Sequence, residues 1–251
     1  MSQKLYWKMV GVLWLAGLLG TVAVLPYVLT LTRAKLEKLP LSLPAVAAVQ
    51  LLQMGVLLTL AAGLGLWLAG KVGARLPLLE AWLSKRPAEV ARAWFGYSAL
   101  VGIVVALAII GIDAAAFAHV MPADFPQPPL WQHLLAAFYG GIDEEILLRL
   151  FLLSLLAWLL GKLWHDPAGR PATGAFWVAN IATAVIFGLG HLPATAAVIP
   201  LTTLVVLRAI VLNGVAGVSF GLLYWKWGLE FAMLAHFTAD IVLAVVSRAV
   251  T

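Results

Sequence analysis

Asp143-Glu144-Glu145 and Arg149 interrupt a long apolar stretch, and two later apolar stretches carry His191 and the pair His236 and Asp240. Carboxylates and imidazoles are the side chains best suited to moving a proton on and off water near neutral pH. Glu145 and Arg149 are four residues apart, so an α-helix puts them on one face, where they can pair. Glu144 lies about 100° further round and is left free to act as a general base. Arg208 is the only other arginine in an apolar stretch, so two arginines face three acids and cannot neutralise them all. His236 and Asp240 also share a face. A carboxylate there can fix the histidine tautomer through one ring nitrogen and leave the other for chemistry. His191 sits in Phe187-Gly188-Leu189-Gly190-His191-Leu192-Pro193. The glycines allow close approach of a backbone or ligand, and Pro193 disturbs the helix just beyond the histidine. Alone, His191 reads as a hydrogen-bonded core residue; together with the acids it reads as part of a site. One carboxylate and two imidazoles can activate water directly or bind zinc.

The elements that must position these groups are membrane helices. Of 251 residues, 63% are hydrophobic and 11% charged, whereas soluble domains carry about 25% charged residues. Apolar runs of about 20 residues, the length that crosses a bilayer, cover residues 9–31, 45–70, 94–118, 130–163, 175–198 and 229–246. A less distinct run, residues 201–224, allows a re-entrant start. The expected fold is all-α, a polytopic transmembrane helical bundle of about seven to eight spans. Residues 1–129 supply the first helices and residues 130–251 the catalytic ones, in one continuous membrane domain. Residues 71–92 mix Lys71, Arg75, Lys85, Arg86 and Arg92 with Leu78, Leu79, Trp82 and Leu83, a pattern for an amphipathic segment on the membrane surface. His133 and His165 fall near interfaces and are expected to be solvated.

The net charge of +5 resides in short loops rather than a basic stripe, which excludes nucleic acid as a partner. The absence of cysteine excludes disulfides and a thiol nucleophile. With the N-terminus in the cytoplasm, inner loops hold Lys4, Lys8, the five basic residues of 71–92, Lys162, Arg170 and Lys226. Outer loops hold Arg33, Lys35, Lys38 and Arg248. Ten against four favours that orientation. The loop of residues 121–129 has four prolines and one charge, Asp124. No internal repeat suggests an inverted-repeat transporter.

Glu144-Glu145-x-x-x-Arg149, then Phe187-x-x-x-His191, then His236-x-x-x-Asp240, in this order on separate apolar helices, resemble the CAAX prenyl protease and bacteriocin-processing family of intramembrane glutamic endopeptidases. The resemblance covers about residues 130–246. It implies a peptidase that needs no metal cofactor, in which Glu144 and His191 deprotonate water, Glu145 and Arg149 hold the geometry with Phe187 in support, and His236 stabilises the oxyanion. In the prenyl-protein branch the position of Asp240 is typically Asn, and Leu150 stands where many relatives have Gly.

The reading is therefore an integral membrane endopeptidase, in a prokaryotic cytoplasmic membrane, acting on a membrane-associated peptide or protein from a cavity that opens to the cytoplasm. Membrane lipids are its other partner. A zinc site is disfavoured because His-Glu-x-x-His is absent. The alternatives are a proton-coupled transporter, with Asp113 extending a relay, and a non-catalytic immunity or scaffold protein.

Overall fold

In hydrocarbon a backbone must satisfy its own hydrogen bonds, and a chain this apolar does so by coiling into helices along nearly its whole length. The computed structural model describes residues 2–37, 42–88, 90, 92–122 and 125–250; Lys38 and Asp124 lie outside the described residues. The long elements are α1 (Gln3–Leu31), α3 (Leu43–Val72), α5 (Ala93–Ala116), α8 (Thr173–Gly190), α10 (Thr203–Lys226) and α11 (Leu229–Val250). Short helices α2 (Arg33–Leu36), α4 (Pro77–Ser84) and α9 (Leu192–Thr195) lie between them. The remaining span is one helical run from residue 130 to 161. It starts as α6 (Leu130–Phe138), widens into two π-helical stretches, π1 (Tyr139–Glu144) and π2 (Ile146–Leu153), and ends as α7 (Ser154–Gly161).

Among the described residues six helices are long and apolar enough to cross a membrane, and the acid-bearing run is a further continuous length. Helix starts follow the sequence. Ser2, Ser42 and Thr202 each accept a backbone N–H three residues on, satisfying one orphan donor of the first turn. Gly73, at φ 79°, ends α3 in the left-handed region, where a glycine carries no Cβ penalty.

Two expectations change. The sixth segment has no re-entrant start, because α10 is continuous from Thr203 to Lys226. The surface segment is helical only over α4. Leu76 is buried beneath it while Trp82 is 67% exposed. Glu230, in the first turn of α11, accepts the N–H groups of Leu78 and Leu79 at 3.0 and 2.9 Å and so anchors the start of α4 to the bundle. On the same side, the turn after α7 is closed by Asp166. The N–H of Arg170 donates to its exposed carboxylate and, with the Arg170 guanidinium, holds it below the usual carboxylate range.

α10 packs between α8 and α11, α11 lies along α5, and α3 bridges α1 and π2. Small residues allow these approaches. A Cβ at Gly188 would run into the backbone of Ile210, and one at Gly102 into the Ala235 carbonyl. Gly190 has open space beside it. Leu150 is fully buried against Gly65 of α3, so at this contact the small residue is supplied by the facing helix.

Candidate active site

The three consecutive acids point apart, as about 100° of rotation per helical residue dictates, and the turn that leads into them is π-helical. In a π-helix the hydrogen bonds run i to i+5, a form found mostly as local bulges and often at functional sites. Asp143 turns towards α1 and accepts a hydrogen bond from the Thr21 hydroxyl at 2.7 Å, with no exposure at either residue. Gly20 makes this possible, since a Cβ there would overlap the Asp143 carboxylate.

Glu145 turns into the bundle and is fully buried. It lies 3.2 Å from the Arg149 guanidinium and 2.8 Å from Nδ1 of His236. The i, i+4 pair expected from spacing is present, and Glu145 also holds a histidine from another helix. The guanidinium lies over the rings of Phe187 and Phe220, 5.1 and 5.6 Å from their centroids, and donates to the Gly217 carbonyl at 3.4 Å. Desolvated cations gain from such ring faces.

Glu144 is free of the arginine and lies between both histidines. Its Oε1 is 4.0 Å from Nε2 of His191 and its Oε2 is 3.6 Å from Nε2 of His236. Separations beyond 3.5 Å leave room for a bridging water. His191 ends α8. Its Nδ1 lies 2.9 Å from the Phe187 carbonyl, which can only accept, so Nδ1 carries the hydrogen and a neutral His191 offers the Nε2 lone pair to the cavity. Phe187 thus supplies a carbonyl to orient His191 and a ring that meets both histidines edge-on. His236 is buried and stacked on Phe220, with ring centroids 4.8 Å apart.

Asp240 differs from the expectation. It does share the face of His236, but its Oδ1 is 3.8 Å from Nε2, the nitrogen that faces the cavity. Glu145 takes Nδ1 instead. The tautomer of His236 is therefore set from a different helix, because the π-turns deliver Glu145 to the buried side of the ring. Asp240 forms part of the cavity wall, in space left by Gly140, where a Cβ would strike its carboxylate.

Glu144, His191, His236 and Asp240 meet at a cavity of about 500 Å³ whose wall also includes Tyr27, Phe220 and Asn213. Its outer polar residues are Thr32, Gln127, His133 and Arg248, and the Arg248 guanidinium donates to the Pro128 carbonyl. The mouth thus lies where α1 and α11 finish, at the opposite end of the bundle from the start of α1. A cytoplasmic N-terminus and a cytoplasmic mouth exclude one another.

Asp113 and Arg208 form a bidentate pair at 2.7 and 2.6 Å between α5 and α10, outside the cavity lining. Asn213 spends its amide on the Ala209 carbonyl at 2.8 Å. His133 is half-buried and packs edge-on against Tyr27 in the cavity wall, whereas His165 is exposed. Among the described residues no three His, Asp or Glu side chains are grouped to hold a metal ion. Sequence reasoning missed Thr21, Tyr27, Phe220 and Gly140. The Gly140-Gly141 pair, one residue before the acids, was a usable signal for a close approach. The others look like ordinary membrane-helix residues.

Residues 126–242 match the family described as Rce1-like: Type II CAAX prenyl endopeptidase Rce1-like. No curated protein and no solved structure matches the chain.

Proposed function

From the match of residues 126–242 to the Rce1-like family of type II CAAX prenyl endopeptidases, we propose that this chain is a glutamate-dependent intramembrane endopeptidase. The observation that carries the reading is the Glu144 carboxylate set between two Nε2 atoms, 4.0 and 3.6 Å away, at the floor of a cavity.

A water between Glu144 and His191 gives one hydrogen to the carboxylate and the other to the Nε2 lone pair, which aims an oxygen lone pair at a peptide carbonyl. As the O–C bond forms, Glu144 takes the proton, and it returns that proton to the amide nitrogen as the C–N bond breaks. General acid–base catalysis of this kind is worth about 10²–10⁴-fold. His236 acts as the imidazolium. Nδ1–H donates to Glu145, and Nε2–H donates to the oxyanion, a contribution of about 2.7–4 kcal/mol for a well-placed donor. The Arg149 guanidinium, 3.2 Å from Glu145, offsets the charge of that acceptor. Glu145, Arg149 and Phe187 are positioning residues in this scheme. No step uses a metal.

The chain is an integral membrane protein, and on the count of basic residues its N-terminus lies in the cytoplasm. The setting in this reading is a prokaryotic cytoplasmic membrane. Its substrate is a membrane-associated peptide or protein.

The test compares new peptide termini in membranes containing the wild-type chain or Glu144→Gln. Termini made by the wild type should fall at least about 10²-fold in the variant, with thermal unfolding unchanged, and should persist in a strong zinc chelator. Equal cleavage by Glu144→Gln would remove the mechanism, and loss in chelator would make it a metallopeptidase.

A further inference from the structure

The two ends of the bundle differ in charge and in openness, and the two differences point in opposite directions. Ten of the sixteen basic residues lie at the end where α1 begins, from Lys4 through the α3–α4 region to Lys226. Among the described residues Arg33, Lys35 and Arg248 lie at the other end, while Arg149 and Arg208 sit within helices. Basic loops stay in the cytoplasm. The cavity is lined from the basic-poor half of each helix: Tyr27 and Thr32 late in α1, His133 early in the acid-bearing run, His191 closing α8, and Asp240 and Arg248 late in α11. On the basic side the site is closed. Arg149, Ile146, Leu150, Tyr224, Leu229 and Phe231 are each at most 1% exposed and fill the bundle there.

We propose that the catalytic cavity opens on the non-cytoplasmic face, and that its substrate is an extended polypeptide segment presented there, flanking a membrane anchor. The proposal rests on the peptidase reading for its substrate but not for its topology. His236 and Arg248 are twelve helical steps apart on α11, a depth of about 18 Å at 1.5 Å per residue. An extended chain covers that depth in about five or six residues. A cytoplasmic tail would have to cross the closed side to reach Glu144. A folded segment would not fit, whereas a short unstructured stretch with mostly apolar side chains suits the wall.

The natural absence of cysteine makes the topology directly measurable. Gln127→Cys at the mouth and Arg86→Cys at the basic end, each in the full chain, are exposed to a membrane-impermeant maleimide in spheroplasts. Gln127→Cys should label before lysis and Arg86→Cys only after it. The reverse pattern, labelling of both before lysis, or of neither, would overturn the proposal. Repeating both in the Glu144→Gln background separates topology from chemistry, since labelling needs no turnover. Where wild-type chain generates Glu144-dependent termini, these should map to non-cytoplasmic flanks; termini in cytoplasmic tails would overturn the substrate assignment and leave the peptidase reading intact.

Discussion

Glu144 and Glu145 are chemically identical neighbours that the bundle places in opposite settings. Glu145 is sealed between Arg149 and His236, while Glu144 faces the cavity with about a fifth of its side chain exposed. Removing Glu145 strands a buried guanidinium, and breaking a buried pair typically costs about 3–5 kcal/mol. Glu145→Ala should therefore lower the unfolding temperature markedly in detergent, whereas Glu144→Ala should leave it nearly unchanged while abolishing cleavage. Equal destabilisation by the two would contradict the division between positioning and chemistry. Asp240 poses a different question, because its Oδ1 lies 3.8 Å from the His236 nitrogen that faces the cavity. An asparagine amide there can donate to an oxyanion, which an ionised aspartate cannot. Asp240→Asn should keep cleavage within about tenfold of wild type; a fall beyond about 10²-fold, the scale of a lost oxyanion donor, would mean that the negative charge itself is used.

At the scale of elements, the π-helical turns of the 130–161 run decide which acid faces which neighbour. Gly140, at the start of that region, keeps α11 close. A Cβ there would meet the Asp240 carboxylate and come within 3.2 Å of the His236 Nε2. Gly140→Ala should reduce turnover strongly with little change in thermal stability, measured on the same preparation, since the displaced atoms end a flexible side chain at a cavity wall. An unaltered rate would show that Asp240 can move without consequence. The spans of α1, α3, α5 and α11 were legible as apolar runs with recognisable starts. The π-turns were not, because their sequence obeys the same apolar periodicity as an α-helix. α10 was indistinct because Arg208 and Asn213 interrupt its apolar run, although its hydropathy equals that of α11 and Arg208 is neutralised by Asp113 from α5.

At the scale of the whole molecule, the impermeant-label experiment addresses how the bundle sits in the membrane, and the cleavage assay addresses what it does there. From composition and spacing alone came the membrane class, the all-helical bundle, the order of the three motifs, the Glu145–Arg149 pair and the freedom of Glu144. These depend on hydropathy and on contacts within one helix, which repeat locally along the chain. Only the tertiary structure decided that Glu145 rather than Asp240 holds Nδ1 of His236, that Thr21 takes up Asp143, that Asp113 and Arg208 satisfy each other away from the site, and that the mouth lies opposite the start of α1. Each of these depends on the depth and rotation of one helix against another, set by glycine contacts and π-turns acting between segments far apart in sequence.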